Sequence, residues 1–288
     1  MRIHVLGARG FLGSYIVPAL SARHRVDTSD LTTVDVTDAP ATLQALQASR
    51  PDIVINLAAL CGALPSVAEP RRFFEVNAQG AVNVLEACRR AGVPRVLFTS
   101  SMTVFGSGDT ARTEMSPFAP RHPYAAAKVG AEFATAQYAR SYGLSALVMR
   151  PTLVVGEGYR EPHAIGDFVE TVKRGEAIRI FGAGTHRRDF VHPADVASAV
   201  VRAVEWLAAA PAGACESVNI ANGEAPEMRE LAGLVTATLG RGAVEFVEKT
   251  SQAFSLFTSI EKAQALLGFR PAISNADIIR RLGGRGAP

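Results

Sequence analysis

The chain opens with Ile3-His4-Val5-Leu6-Gly7-Ala8-Arg9-Gly10-Phe11-Leu12-Gly13, and the reading of this stretch decides the fold. A short apolar run ends in glycines spaced G-x-x-G-x-x-G, and Ile16, Val17 and Leu20 then recur at helical spacing. Strand, glycine turn and helix, in that order, form the setting in which a chain binds a dinucleotide. The turn needs a residue without Cβ, and the backbone must come close to a pyrophosphate. The helix start also offers N–H groups that no carbonyl has claimed. Glycines that serve a tight turn alone are the plain alternative.

Outward from this stretch, apolar runs alternate with amphipathic ones. Residues 25–30 read as a second strand with Asp30 at its tip, 17 residues after Gly13. A carboxylate there accepts both hydroxyls of an adenosine ribose and repels a 2′-phosphate, which favours NAD. Arg9 in the glycine loop is able to pair with such a phosphate, so NADP stays open. Residues 34–38 read as a short strand, 41–49 as a helix and 53–59 as a buried strand ending in small side chains. Helices are expected over 73–91 and 124–142, and strands over 95–101 and 145–153. The alternation predicts an α/β fold, a doubly wound parallel sheet forming a dinucleotide-binding domain over 1–155. Beyond Gly156 the regularity breaks, with a helix over 167–174 and a short strand over 178–182. Residues 156–288 are expected to form a smaller, mixed substrate lobe, with some segments returning to the sheet.

Composition narrows the function. Of 288 residues, 48% are hydrophobic and 20% charged, which describes a globular chain with a sizeable core. A net charge of +3 without a long basic run argues against a nucleic-acid partner, and 281–285 reads as a frayed basic end. The longest nearly uncharged run, 53–68, is shorter than a membrane span and contains Pro65, so no membrane partner is expected. Cys61, Cys88 and Cys215 are widely spaced and odd in number; they read as buried thiols, with no metal site, in a cytoplasmic protein.

A second stretch, Tyr124-Ala125-Ala126-Ala127-Lys128, puts a phenol and an ammonium on one helix face. The expectation is that the ammonium lowers the tyrosine pKa from about 10 and makes it a proton carrier near neutral pH. The three alanines between them leave room for something flat.

Ser100-Ser101 at a strand tip, the glycine loop and Tyr124-x-x-x-Lys128 together resemble the extended short-chain dehydrogenase/reductases, specifically the NAD-dependent epimerase/dehydratase family. Phe98-Thr99-Ser100-Ser101-Met102-Thr103-Val104-Phe105-Gly106 is similar to its serine strand. Met149-Arg150-Pro151-Thr152-Leu153-Val154-Val155-Gly156 is similar to the strand after the catalytic helix. Arg187-Arg188-Asp189-Phe190-Val191-His192-Pro193-Ala194-Asp195-Val196 resembles its R-D-F-V-H-x-x-D-V signature, and 265–271 its C-terminal L-G-aromatic-x-P run. The resemblance implies an enzyme acting on a nucleotide-sugar carbinol or ketone, with Ser101, Tyr124 and Lys128 catalytic. It assigns Gly7, Arg9, Gly10, Phe11, Leu12 and Gly13 to the pyrophosphate side, Asp30 to the ribose, and Asp35 and Val36 to the adenine. Leu57, Ala58 and Ala59 fall along the middle of the cofactor, with Asn77, Thr99, Pro151 and Thr152 nearer the nicotinamide. Thr103 and Arg188 fall where the family contacts sugar and phosphate, and a homodimer through the helices at 73–91 and 124–142 is implied.

Departures narrow the reaction. Met102-Thr103 stands where the dehydratases carry an acidic pair, which disfavours sugar dehydration. Thr103 also stands where 3,5-epimerising members have a cysteine, so His163 reads as a polar loop residue. Leu153 replaces an asparagine of many 4-epimerases, and 248–254 lacks the arginine–aspartate clasp on the nucleotide. Residues 25–59 also resemble dTDP-4-dehydrorhamnose reductases. The readings are therefore 4-epimerase or 4-ketoreductase, with reduction or oxidation of a non-sugar alcohol or a non-catalytic NAD(P)-binding regulator as alternatives.

Overall fold

In a computed structural model describing residues 1–159, 162–248 and 254–284, six parallel strands form one sheet in the order β2-β1-β3-β4-β5-β9. Its first half contains β1 (Arg2–Leu6), α1 (Phe11–Ser21), β2 (Arg25–Ser29), α2 (Ala39–Ser49), β3 (Ile53–Asn56), α3 (Ala63–Ala68), α4 (Pro70–Phe74), α5 (Gly80–Ala91), β4 (Arg95–Thr99), α6 (Pro123–Tyr142) and β5 (Ser145–Pro151). Then come β6 (Leu153–Val154), α7 (Ala164–Lys173), β7 (Ile178–Phe181), β8 (Phe190–Val191), α8 (Pro193–Ala209), β9 (Cys215–Ile220), α9 (Met228–Leu239), β10 (Val244–Val247), α10 (Glu261–Leu267) and α11 (Asn275–Leu282). The register of Ile3 on Ile53 and of Ile3 on Val26 makes β1 the central strand from which the winding reverses. Reversal opens a crevice beyond the C-terminal ends of β1 and β3, and the glycine loop borders it.

Strands covered on both faces must be apolar throughout, and β3 (Ile-Val-Ile-Asn) is buried at every position. One face carries Ile3, Val5, Ile16, Leu20, Val200 and Val204, bringing in α1 and α8. The other carries Leu6, Leu46, Val84 and Leu85 beneath α2, α5 and α6. A separate core gathers Ile165, Val169, Ile178, Phe190, Leu231, Val235 and Ile278 from α7, β7, β8, α9 and α11. The parallel pairs β7–β10 and β6–β8 border this second core, while β9 lies beside β5 as the sixth strand of the main sheet.

Three expectations change. Residues 34–38 form no strand, because the Val34, Thr37 and Asp38 amides turn back on the Asp30 carbonyl at 2.8 Å, the Asp35 side chain at 2.9 Å and the Asp35 carbonyl at 2.9 Å. Those donors are withdrawn from any ladder, and Asp38 then caps α2 through the Ala41 amide at 2.9 Å. The helix expected over 73–91 is three pieces, with a π turn at Glu75–Gln79 between α4 and α5. The basic end is not frayed at Arg281, which lies in α11 and pairs with Glu157 at 3.6 Å.

His4 is the polar exception inside β1. Its ring bonds Ser49 and Ser29, each at 2.8 Å, and ties α2 and β2 to the central strand. The Ser49 hydroxyl already donates to Ala45, so Nδ1 must donate to Ser49 and Nε2 must accept from Ser29, the neutral tautomer. Burial holds the His4 pKa below its usual 6.5, against a weaker pull from Asp27. The unfolded chain thus binds a proton that the folded one refuses. The contribution is full above pH 6.5 and is lost as pH falls through the folded value. His4→Asn is expected to cost about 1–2 kcal/mol at pH 8 and to flatten the fall of melting temperature between about pH 7 and 5. His24, His122, His163 and His186, also held down by burial, contribute to the slope that remains.

Candidate active site

Gly7 turns with φ +80°, and a Cβ there would stand 2.7 Å from the Ala58 nitrogen, so this glycine brings the loop against the chain leaving β3. The Gly7 and Ala8 amides donate to the Ser29 carbonyl at 2.8 and 3.1 Å. At Gly13 a Cβ would lie 2.2 Å from the Ala8 carbonyl oxygen, so the first turn of α1 folds directly onto the loop. Gly10 caps α1 without a side-chain hydrogen bond, and no acidic residue occupies the first turn. The amides of Phe11, Leu12 and Gly13 are left facing outward at a positive helix end. That is a cradle for a pyrophosphate.

Asp30 stands just past β2, its Oδ1 accepting from the Thr32 amide and hydroxyl at 2.8 and 2.6 Å, and these bonds lower its pKa. Arg9 reaches Asp30 at 3.5 Å, so the cation that kept NADP open is paired with the carboxylate that favours NAD. Asp35 is held by Thr37 and lies 3.7 Å from Arg72, and Val36 is buried under Gly80. Leu57, Ala58 and Ala59 are half-buried along the loop after β3. Asn77 is occupied differently from the expectation. Its amide donates to the Leu60 carbonyl at 2.9 Å and accepts from the Leu60 amide at 2.8 Å, clamping that loop.

Two hydroxyls among the expected cofactor residues are left over. Thr99 Oγ1 at the end of β4 and Thr152 Oγ1 just past β5 are buried without a hydrogen-bond partner. Thr99 lies opposite Met149 in the β4–β5 register, and Thr152 follows Pro151 at the end of the same β5. Orphaned hydroxyls in this crevice, next to a backbone cradle that a Cβ would fill, fit a dinucleotide whose polar groups supply the missing partners.

Helix α6 starts at Pro123, with His122 capping the Ala125 amide at 3.2 Å. Ala125 and Ala127 are fully buried, so two of the three alanines serve close packing of the helix rather than room for a ligand. Packing that closely lets Lys128, 3% exposed, donate to the Thr99 carbonyl at 2.7 Å, with its ammonium 5.0 Å from the Phe98 ring centre. One turn earlier the Tyr124 hydroxyl bonds Ser101. Ser101 caps a turn of 3-10 helix at Met102–Phe105 and accepts from the Thr103 hydroxyl at 3.0 Å. Ser101, Tyr124, Lys128 and Thr103 therefore converge at one strand tip.

The electrostatics run against the expectation for Tyr124. Its pKa is raised rather than lowered, first by burial and then by the neighbouring Cys61, with the Ser101 bond as the opposing pull. Lys128, pulled down to about 8 by burial, lies 5.9 Å from the Tyr124 ring centre and spends its bond on Thr99. Desolvation thus wins over the ammonium in the protein by itself.

Cys61 is also not the buried thiol expected. It is exposed, as is Cys215, while Cys88 alone is buried, and Cys61 bonds the Tyr124 hydroxyl. No sequence signal marks it, since only the loop held by Asn77 brings it there. His163 caps α7 through the Gly166 amide at 3.0 Å and rests on Tyr159, so its ring is a structural cap. Arg188 lies half-buried with its guanidinium 4.6 Å from the Phe254 ring centre and donates to the Phe254 carbonyl. The clasp expectation falls mainly on 249–253, outside the described residues. Among the described residues no group of histidine, cysteine and carboxylate side chains is arranged to hold a metal, and no helix is long and apolar enough to cross a membrane.

A parallel sheet with a glycine loop at its switch point and a Ser–Tyr–Lys set at the next strand tip defines a Rossmann-fold oxidoreductase of the short-chain dehydrogenase type. The chain belongs to the NAD dependent epimerase/dehydratase family, whose model matches residues 3–221. It is 33% identical to UDP-glucose 4-epimerase of Mycolicibacterium smegmatis over 267 residues, 83% of each chain. The Thermus thermophilus UDP-glucose 4-epimerase in complex with NAD superposes with a TM-score of 0.83 at 30% identity, covering 99% of this chain and 98% of that one. The Thermotoga maritima UDP-glucose 4-epimerase with UDP-glucose gives 0.84 at 27% identity over the same shares.

Gly13→Ala tests the cradle. With 2.2 Å between the new Cβ and the Ala8 carbonyl, the loop must move. Calorimetric titration is expected to show NAD binding lost while the circular dichroism of the sheet and helices is unchanged.

Proposed function

We propose that this chain is an NAD-dependent 4-epimerase of UDP-hexoses, interconverting UDP-glucose and UDP-galactose. The observation that carries the reading is the joining of Ser101, Tyr124 and Lys128 at the β4 tip, beside the glycine loop at the switch point. The named relatives support the sugar and the position of inversion. The Arg9–Asp30 pair supports NAD over NADP, because an ionised Asp30 repels a 2′-phosphate.

In this reading Gly7, Gly10 and the amides of 11–13 cradle the pyrophosphate, Asp30 holds the adenosine ribose, and Asp35 and Val36 border the adenine. Leu57, Ala58, Ala59, Thr99, Pro151 and Thr152 line the remainder, and Asn77 acts by shaping the loop through Leu60. Bound NAD supplies the hydride acceptor and donor. Ser101 holds the C4 oxygen of the sugar while Tyr124 takes its proton, and after the keto sugar turns over Tyr124 returns that proton. Tyr124, whose pKa burial raises, would need the positive charge that oxidised NAD would supply when bound in order to act as a base near neutral pH. Thr103 steadies Ser101, and Arg188 meets the diphosphate, where partial burial of its guanidinium strengthens the pairing.

The same reading makes the protein a cytoplasmic homodimer joined through α5 and α6. Phe133 and Tyr142 on α6, each 59% exposed, support that face, whereas Val84 and Leu85 are used up in the core. A single monomer boundary in sedimentation would remove the dimer.

Purified protein given UDP-glucose is expected to form UDP-galactose and to reach the same mixture from either sugar, without a stoichiometric change in NADH absorbance. Tyr124→Phe is expected to cut turnover by about 10²–10⁴-fold with NAD affinity kept. Stoichiometric consumption of NADH with a keto sugar, and no interconversion, would make the enzyme a reductase instead.

A further inference from the structure

Past Lys128, the same face of α6 carries a polar residue that no step of the proposed reaction uses. The Glu132 side chain is 4% exposed and Arg150, on β5, is 5% exposed. They meet as a fork, with Arg150 Nη2 at 2.6 Å from Glu132 Oε2 and Nε at 3.0 and 3.1 Å from the two oxygens. The guanidinium lies 4.9 and 5.3 Å from the Phe105 and Phe118 ring centres, and its Nη1 donates to the Glu114 carbonyl at 3.4 Å. A buried pair of this kind is a weak stabiliser, because apolar side chains of equal volume hold a core as well. Its worth must be sought in what it positions.

The Ser100 hydroxyl donates to Glu132 Oε1 at 2.5 Å. Helix α6 therefore grips three consecutive residues of the strand end from three successive turns. Lys128 holds the Thr99 carbonyl, Glu132 holds Ser100, and Tyr124 meets Ser101. Glu132 is also a carboxylate one turn from the buried ammonium. Around Lys128 stand Cys61 from the loop after β3 and Tyr124 and Glu132 from its own helix, with Tyr159 facing Tyr124. Around Glu132 stand Ser100, Arg150 and, from β9, Cys215.

We propose that Glu132, one helical turn beyond Lys128, is a positioning residue for the epimerisation read above: through Ser100 it fixes where the Ser101 hydroxyl stands. Its carboxylate also bears on the charge of that lysine. Support comes from the balance at Lys128, which burial pulls to about 8 against opposing pulls from Cys61 and then Glu132.

The test needs no substrate for its first readout. Lys128, Lys173, Lys249 and Lys262 are the chain's lysines, so the Cε signals of carbon-13 lysine are assignable with the help of Lys128→Met. In cofactor-free wild type the Lys128 signal is expected to titrate near 8, and in Glu132→Gln about half a pH unit lower or more. Because Glu132→Gln leaves a buried guanidinium without its partner, the charge-balanced Glu132→Gln/Arg150→Gln protein is measured beside it. There the melting temperature is expected to return towards wild type, while the Lys128 midpoint stays low. On UDP-glucose the kcat of the double variant is expected to stay down about tenfold, with KM within about twofold. An unchanged Lys128 midpoint in the folded variants, or a kcat that recovers together with melting temperature, overturns the proposal. A wild type inert towards UDP-sugars whose Lys128 midpoint still moves with Glu132 would remove the substrate reading and support the charge role of Glu132.

Discussion

The bond from Lys128 Nζ to the Thr99 carbonyl is the interaction on which the other parts of this site depend. An ammonium 3% exposed is costly, and burial answers that cost by moving its pKa to about 8. The chain tolerates it because the bond does three things at once. It closes α6 onto β4 over the buried alanines, it saturates a carbonyl at a strand end that has run out of ladder partners, and it sets the turn of helix that carries Tyr124 against Ser101. A methionine of similar length would fill the space and satisfy none of these.

What surrounds that bond is a division of labour between backbone and side chains. The cradle formed by residues 7–13 is almost entirely main chain, since Gly7 and Gly13 have no space for a Cβ. The strand tips are the reverse, a cluster of hydroxyls in which Ser101 and Thr103 bond each other while Thr99 and Thr152 are left with unmet capacity. A backbone cradle recognises the common part of a dinucleotide, and side-chain hydroxyls at the strand tips address the part where chemistry occurs. The second core, with α7, α9 and α11, then presents Arg188 from the signature stretch against the 254–256 segment.

The sheet, its winding and the meeting of Ser101, Tyr124 and Lys128 at one strand tip were legible because each rests on local pattern: apolar runs, glycine spacing and a four-residue helical repeat. What was not legible arose from competition or from distance. Residues 34–38 have the composition of a strand, but two aspartates satisfy the nearby amides locally and the ladder never forms. The Tyr124–Lys128 spacing was read correctly and its electrostatics were not, because sequence spacing carries no measure of burial. Cys61 and the clamp from Asn77 depend on how one loop folds, and no periodicity encodes that. Glu132 had a signal that could have been used: it repeats the four-residue step after Lys128, and Arg150 is a lone charge in the otherwise apolar run Leu147-Val148-Met149-Arg150. A charge in a fully covered strand requires a buried partner.

In the proposed function, Ser101, Tyr124 and Lys128 serve a hydride that leaves one carbon and returns to it inside a closed site. The most direct measurement uses UDP-glucose deuterated at C4, turned over in ordinary water, with the product examined by mass spectrometry and NMR. The account predicts UDP-galactose that retains the deuterium at C4, with none released to solvent. Loss of the label to water would contradict it, since the hydrogen at C4 would then have left as a proton.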